Sequence, residues 1–159
     1  MEGRSRRLER LLLMRLYRLA VGGVCVDSAD MVLLRRPDDA EVYPSVWELP
    51  SGGVEEGEDP VTALRREMLE EAGLKVAVGP CVGYFFYISK KGVPCVQLNH
   101  VCRLDDCERS ALRHGEEHVE SKWVPLIDIV KYHITENVRG TIGNACRHME
   151  RHAPGLLFL

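Results

Sequence analysis

The chain has 159 residues, 45% of them hydrophobic and 28% charged, with a net charge of −3 and a pI near 6.1. This is the composition of one globular domain with a core of its own. The charge balance gives no electrostatic footprint for tracking duplex DNA or RNA, and no apolar run reaches the roughly 20 residues of a membrane-crossing helix.

The first 19 residues are rich in arginine (Arg4, Arg6, Arg7, Arg10, Arg15, Arg18) against two acids, Glu2 and Glu9. Leu8, Leu11, Leu12, Leu16 and Leu19 fall at helical spacing. The segment reads as a surface helix or an extension, residues 1–15, ahead of the first strand. A targeting peptide for an organelle is the rival reading, since no small-residue cleavage site of a secretory signal follows.

Residues 17–26 are apolar with β-branched members and read as a strand; 27–30 is a turn, and 31–35 is the antiparallel partner. A polar loop over 37–44 leads to a short strand, 46–49, carrying Trp47. Residues 50–58 hold three glycines and read as a loop. The next helix is signalled at both ends. Asp59 caps it, Pro60 takes the first helical position, and Gly73 stops it in the place that favours a left-handed backbone. Val61, Leu64, Met68 and Ala72 form its apolar stripe.

Residues 75–89 read as one long strand or two short ones, and 93–104 as another. A polar connection over 105–115 precedes a last strand at 121–124, a short helix at 126–132 and a longer one at 136–151. There are no repeats and no second domain. The pattern predicts a single α/β domain, a mixed sheet between helices. The six cysteines form no C-x-x-C pair and read as reduced thiols of a cytoplasmic protein. His100, Cys102, Cys107 and His114 fit no familiar zinc spacing.

The chemistry concentrates in one helix. Glu67 lies three residues before Glu70 and four before Glu71, so all three carboxylates share a face next to the apolar stripe. Like charges this close repel unless a cation neutralises them. Mg²⁺, with Mn²⁺ as a substitute, suits such hard oxygen donors and keeps room for water and phosphate. Arg66, four residues before Glu70, is placed to pair with it.

From Gly52 to Leu74 the segment reads G-x5-E-x7-R-E-U-x-E-E-x-G-U, with U a bulky aliphatic residue: Gly52, Glu58, Arg66, Glu67, Met68, Glu70, Glu71, Gly73 and Leu74. It resembles the Nudix box at all nine specified positions. Trp47-Glu48-Leu49-Pro50 ahead of it is similar to the approach found in many members of that family. The resemblance, to MutT-like Nudix hydrolases, implies the Nudix fold: an α/β/α sandwich around a mixed sheet. It implies hydrolysis of a nucleoside diphosphate linked to another moiety, by water attack on phosphorus. It also implies that Glu67, Glu70 and Glu71 hold the metal together with the Ser51 carbonyl. Glu58 takes a supporting role, and Arg66 orients the carboxylates. Glu116-Glu117-His118 before Trp123 is similar to a second acidic element of several members. There Glu117 is the chosen metal ligand and candidate base, with Glu116 and Glu120 behind it, and His118 is structural.

Substrate identity is less legible. Markers of NADH, ADP-ribose, diadenosine polyphosphate and coenzyme A hydrolases are absent, and Ser89, Lys90 and Lys91 stand where two of these sets fall. A nucleoside triphosphate, modified or not, is preferred to ADP-ribose or a dinucleotide. Tyr84 and Phe86, alternate residues on one sheet face, are candidates to stack on a base, although strand aromatics more often enter a core. Arg35 is the candidate for phosphate. Two rivals are a Nudix domain that senses a nucleotide or binds a protein, and an isomerase of prenyl diphosphates. Both are disfavoured by an unbroken box. Homodimerisation is an expectation from similar proteins.

Overall fold

The protein is described here by a computed structural model covering residues 16–152. The proposed extension, residues 1–15, lies outside the described residues. Among the described residues seven strands and two α-helices follow in chain order: β1 (Arg18–Asp27), β2 (Asp30–Arg35), β3 (Trp47–Glu48), β4 (Ser51–Gly53), α1 (Pro60–Ala72), β5 (Val76–Ile88), β6 (Pro94–Leu104), β7 (Glu120–Pro125) and α2 (Glu136–His152).

The long strand β1 organises the sheet. On one edge it pairs in parallel with β6, from Arg18↔Cys95 to Cys25↔Cys102. On the other edge it has two partners in succession. Its last residues form a hairpin with β2, Val26↔Met31 and Asp27↔Asp30, while its first half pairs with β4, Ala20↔Gly53 through Gly22↔Ser51. The sheet therefore forks along that edge. β2 continues to β3 and β7 on one branch, and β4 forms the other. The expected 50–58 loop thus contains a strand. Ser51, Gly52 and Gly53 have no intrinsic strand preference, and only the ladder to β1 makes them one.

Alternation along the strands sends side chains into two cores. Val21, Cys25, Val32 and Leu34 meet Leu64, Met68 and Ala72 of α1. Val24, Val26, Met31 and Leu33 meet Val138, Ile142, Ala145 and Met149 of α2. With both faces covered, neighbouring apolar residues in one strand are both buried, which explains the continuous hydrophobic runs. The result is an α/β/α sandwich.

Helix α1 follows its end signals. Asp59 accepts from the backbone N–H groups of Val61 and Thr62 at 2.9 and 3.0 Å, a cap worth about 1 kcal/mol. Gly73, at φ +70°, returns its N–H to the Leu69 carbonyl, and Leu74 returns its own to Met68. The buried stripe is Ala63, Leu64, Met68 and Ala72, with Val61 at its margin. The expected helix at 126–132 is a 3-10 segment, Leu126–Lys131, with no side-chain cap.

One reading is overturned. The aromatic run was weighted toward the core, yet Tyr84 and Phe86 are 65% and 58% exposed. β5 ends the strand order, with no further strand beyond it among the described residues.

Candidate functional site

The centre of the site is the contact between α1 and β4. Gly52 pairs with Val21, whose side chain is in the α1 core, so Gly52 presents its missing side chain to α1. The Glu67 carboxylate fills that space, and a Cβ at Gly52 would collide with it. One residue earlier, the Ser51 backbone N–H donates to Glu71 Oε2 at 2.7 Å. The short strand thus anchors two of the three helix carboxylates.

Arg66 organises the others. Its Nε and Nη2 donate to the two Glu58 carboxylate oxygens, each at 2.9 Å, a bidentate pair. Its Nη2 also donates to the Gly53 carbonyl at 3.0 Å. Its Nη1 donates to Glu67 at 2.7 Å and to Glu70 at 3.3 Å. One guanidinium therefore ties the loop, the helix and β4 together. The pairing with Arg66, helped by the Glu55 N–H, lowers the Glu58 pKa to about 2.

The carboxylates differ in setting. Glu70 is largely exposed, at 60% of its side-chain surface, whereas Glu67 is at 12%. Burial raises the Glu67 pKa, opposed by Arg66 and reinforced by Glu70 and Glu58. Glu71 is pushed up to about 8, first by burial and then by the charges of Glu67, Glu48 and Glu117, against the Ser51 N–H. A half-buried carboxylate within the field of three others is a place short of positive charge, and its hard oxygens fit Mg²⁺ or Mn²⁺. Among the described residues no three His, Cys, Asp or Glu side chains already converge as a metal cluster. Glu67 and Glu70 are held by Arg66 rather than facing one another.

The second acidic element reaches the same place. The Gly115 N–H donates to the Glu71 carbonyl at 2.9 Å, docking the 115–118 turn on the end of α1. Glu117 is exposed there, and its charge is felt at Glu71. Glu120 points elsewhere, paired with Arg35 at 3.2 Å and Lys122 at 2.6 Å. His118 is buried, its Nε2 2.8 Å from Glu48 Oε1.

Glu48 was missed as a site residue by sequence reasoning. It also accepts from Arg36 Nη1 at 3.2 Å and contributes to the Glu71 shift. Its only signal was its place in the Trp47–Pro50 approach.

The substrate candidates are not gathered with the carboxylates. Arg35 is engaged by Asp38 and Glu120. Tyr84 and Phe86 lie on β5, separated from β4 by β6 and β1, about 14 Å at three strand spacings. They pack on each other, with ring centroids 5.7 Å apart, and Phe86 also meets Tyr17 at 5.4 Å. Of the thiol–imidazole group, His100 Nδ1 sits 2.9 Å from the Gly79 carbonyl, Cys102 belongs to the α1 core and Cys107 Sγ donates to the Lys75 carbonyl at 3.3 Å.

A fork in a mixed sheet, with a carboxylate helix clasped against it by one arginine, is the arrangement of the Nudix fold. The NUDIX domain family profile matches residues 16–142, and the chain belongs to that family. Among curated relatives, it is 30% identical over 121 residues to the nucleoside triphosphatase NudI of Escherichia coli O17:K52:H18, covering 70% of this chain and 84% of that one. It is 38% identical over 73 residues to an RNA pyrophosphohydrolase of Rhodospirillum rubrum, covering 45% of this chain and 42% of that protein. Against diphosphoinositol polyphosphate phosphohydrolase 2 of Rattus norvegicus, identity is 49% over 89 residues, covering 56% and 48% of the two chains. The solved C. elegans Ap4A hydrolase complex superposes with a TM-score of 0.70 at 24% identity, covering 84% of this chain and 98% of that one. That likeness shows the fold.

Proposed function

We propose that this protein is a Mg²⁺-dependent pyrophosphohydrolase that cleaves a nucleoside diphosphate linked to another group, with a nucleoside triphosphate preferred. One observation carries the reading: Glu67 and Glu71 are drawn onto β4, and Glu71 is pushed up to about 8 by burial and the surrounding carboxylates. Arg66 and the Ser51 N–H engage these acids without offsetting the burial and mutual repulsion felt at Glu71, so the cluster is better explained by a cation it receives than by stability.

Glu67, Glu70, Glu71, Glu117 and the Ser51 carbonyl would hold the metal. When bound, it offsets the diphosphate charge and makes a water nucleophilic. Water attacks phosphorus, the bond from phosphorus to the leaving phosphate oxygen breaks, and a carboxylate accepts the water's proton. Glu67, Glu70 and Glu117 are the candidates for that base. Arg66 acts as a positioning residue, holding Glu58, Glu67 and Glu70 in fixed relation. The triphosphate preference is supported by the NudI relative, whose match spans 84% of that protein. ADP-ribose and dinucleotide polyphosphates are the alternatives.

The test is a screen with Mg²⁺ over nucleoside triphosphates, ADP-ribose, NADH and dinucleotide polyphosphates, read by chromatography of the nucleotide products and, for triphosphates, by pyrophosphate release. Cleavage of a triphosphate, lost in EDTA, is expected. A wild-type protein that cleaves none of them refutes the reading.

A further inference from the structure

The turn that carries Glu117 is pinned at three points, and one of them is a buried polar group that the carboxylate chemistry does not use. Residues 115–118 close on themselves, the His118 N–H donating to the Gly115 carbonyl at 3.3 Å. At the near end, the Gly115 N–H donates to the Glu71 carbonyl at 2.9 Å, and a Cβ on Gly115 would lie 3.2 Å from the Glu70 carbonyl oxygen. The turn therefore rests directly on the end of α1. At the far end, the Val119 N–H donates to the Arg35 carbonyl of β2 at 2.9 Å. The third point is the His118 side chain, which is 2% exposed, whereas Glu116 and Glu117 are open to solvent.

His118 Nε2 donates to Glu48 Oε1 of β3 at 2.8 Å, since an ionised carboxylate offers only acceptors. Glu48 is itself held in place. It accepts from Arg36 Nη1 at 3.2 Å, and Arg36 Nε donates to the Val42 carbonyl at 3.0 Å. His118 Nδ1 is buried without a partner, a loss of about 1–3 kcal/mol. An apolar side chain would fill the same space without that loss, but apolar packing has no direction. A hydrogen bond to a fixed carboxylate specifies one orientation of the turn. Glu117 is one peptide from His118, so its Cα sits about 3.8 Å from that of the anchored residue. Glu48 and Glu117 both act on Glu71 through their charge, which puts the anchor, the turn and the helix carboxylates in one neighbourhood.

We propose that His118 is a positioning residue: bonded to Glu48, it fixes the 115–118 turn so that Glu117 is held beside Glu71 as a ligand of the metal. The inference rests on the reading of Glu117 as a metal ligand and adds what keeps it there. Glu67, Glu70 and Glu71 share one helix, and the helix sets their spacing. Glu117 stands on an irregular connection, and a ligand on a loop is only as well placed as the contacts that hold the loop. Groups that orient a ligand from outside the metal's own contacts commonly set its affinity by ten-fold or more.

The experiment compares wild type with Glu117→Gln, His118→Phe, His118→Gln and the double variant Glu117→Gln/His118→Phe, each checked for folding by circular dichroism and melting. Three quantities are read: Mn²⁺ binding by calorimetry without nucleotide, amide hydrogen exchange of residues 115–119 in EDTA, and kcat and KM for a triphosphate. His118→Phe should weaken Mn²⁺ binding by about ten-fold, as Glu117→Gln does. Its Gly115 and Val119 amides should exchange faster in EDTA while α1 keeps wild-type protection, and kcat should fall more than KM rises. The double variant should bind no more weakly than Glu117→Gln alone, because His118 acts through Glu117. His118→Gln, whose amide can still donate to Glu48, should recover most of the affinity. If His118→Phe fails to fold, His118→Asn, whose shorter side chain does not reach Glu48, decides on the same readouts. A folded variant with wild-type Mn²⁺ affinity, or losses that add in the double variant, overturns this inference and leaves the hydrolase reading standing. Glu117→Gln with wild-type affinity and rate overturns it together with the role of Glu117. Mn²⁺ binding that depends on His118 and Glu117 in this way, without cleavage of any diphosphate, supports the inference and refutes the hydrolase reading.

Discussion

Gly52 and Gly53 are adjacent in β4 and open onto opposite sides of the sheet. Behind Gly52 lies the Glu67 carboxylate, part of an acidic group clasped by Arg66; over Gly53 lies Arg18, on the face with the Gln97–Asn99 amides. One side gathers carboxylates around a single arginine, Arg66, and the other carries the Arg18 guanidinium and neutral amides. Strand alternation alone produces this division, because successive residues point to opposite faces. A three-residue strand thus holds two chemically different settings apart on its two faces.

The strongest way to break this comparison is at the carboxylates. Glu70→Gln and Glu71→Gln should each lower kcat by about 100-fold or more, since each removes a charge that the metal needs. Steady-state formation of the nucleoside monophosphate product checks this, and variants cleaving at the wild-type rate would remove the acidic side from the mechanism. The two glycines should then respond unequally. Gly52→Ala places a methyl on the Glu67 carboxylate and should cost about ten-fold or more in kcat. Gly53→Ala meets only the end of the flexible Arg18 side chain, at 2.9 Å, and should change kcat by less than about three-fold. Equal losses in the two variants would dissolve the distinction between the faces.

A smaller effect should appear in stability without metal. Glu71 titrates near 8 in the folded protein against 4.5 ordinarily. Between those values the native state keeps a proton that the unfolded chain has released, so stability falls as pH rises through that window. Glu71→Gln should flatten this decline and stabilise the metal-free protein at pH 8 by on the order of 2 kcal/mol. Melting curves in EDTA from pH 5 to 8 test it; a wild-type curve that rises across the window would contradict the assigned environment. The smallest effect belongs to the scaffold. Asp59→Ala should cost about 1 kcal/mol through the lost cap of α1, read by denaturant titration, with the Mg²⁺ requirement unchanged.

Much of the fold was legible because local chemistry and tertiary structure agree along α1. Asp59, Pro60 and Gly73 mark its ends, and the 3.6-residue repeat places Leu64, Met68 and Ala72 inward. Other features were hidden for identifiable reasons. Glu48 looked like part of a short strand, and its nearness to Glu71 depends on two branches of the sheet meeting. Tyr84 and Phe86 read as core because the pattern does not reveal that β5 is an edge. Gln97 and Asn99 passed unnoticed within an apolar strand, since a buried amide without a partner, as at Asn99 Nδ2, is visible only once its neighbours are placed.

By itself, the sequence determined the family, through the spacing of Gly52, Glu58, Arg66, Glu67, Glu70, Glu71 and Gly73, because that spacing is local and a helix converts it directly into a shared face. Only the tertiary structure decided which groups surround those carboxylates and what lies behind them. The pairing of β1 with both β4 and β6 brings Ser51, Gly22 and Asn99 side by side across residues far apart in the chain. No local propensity encodes such a register; it is fixed by burying two cores at once.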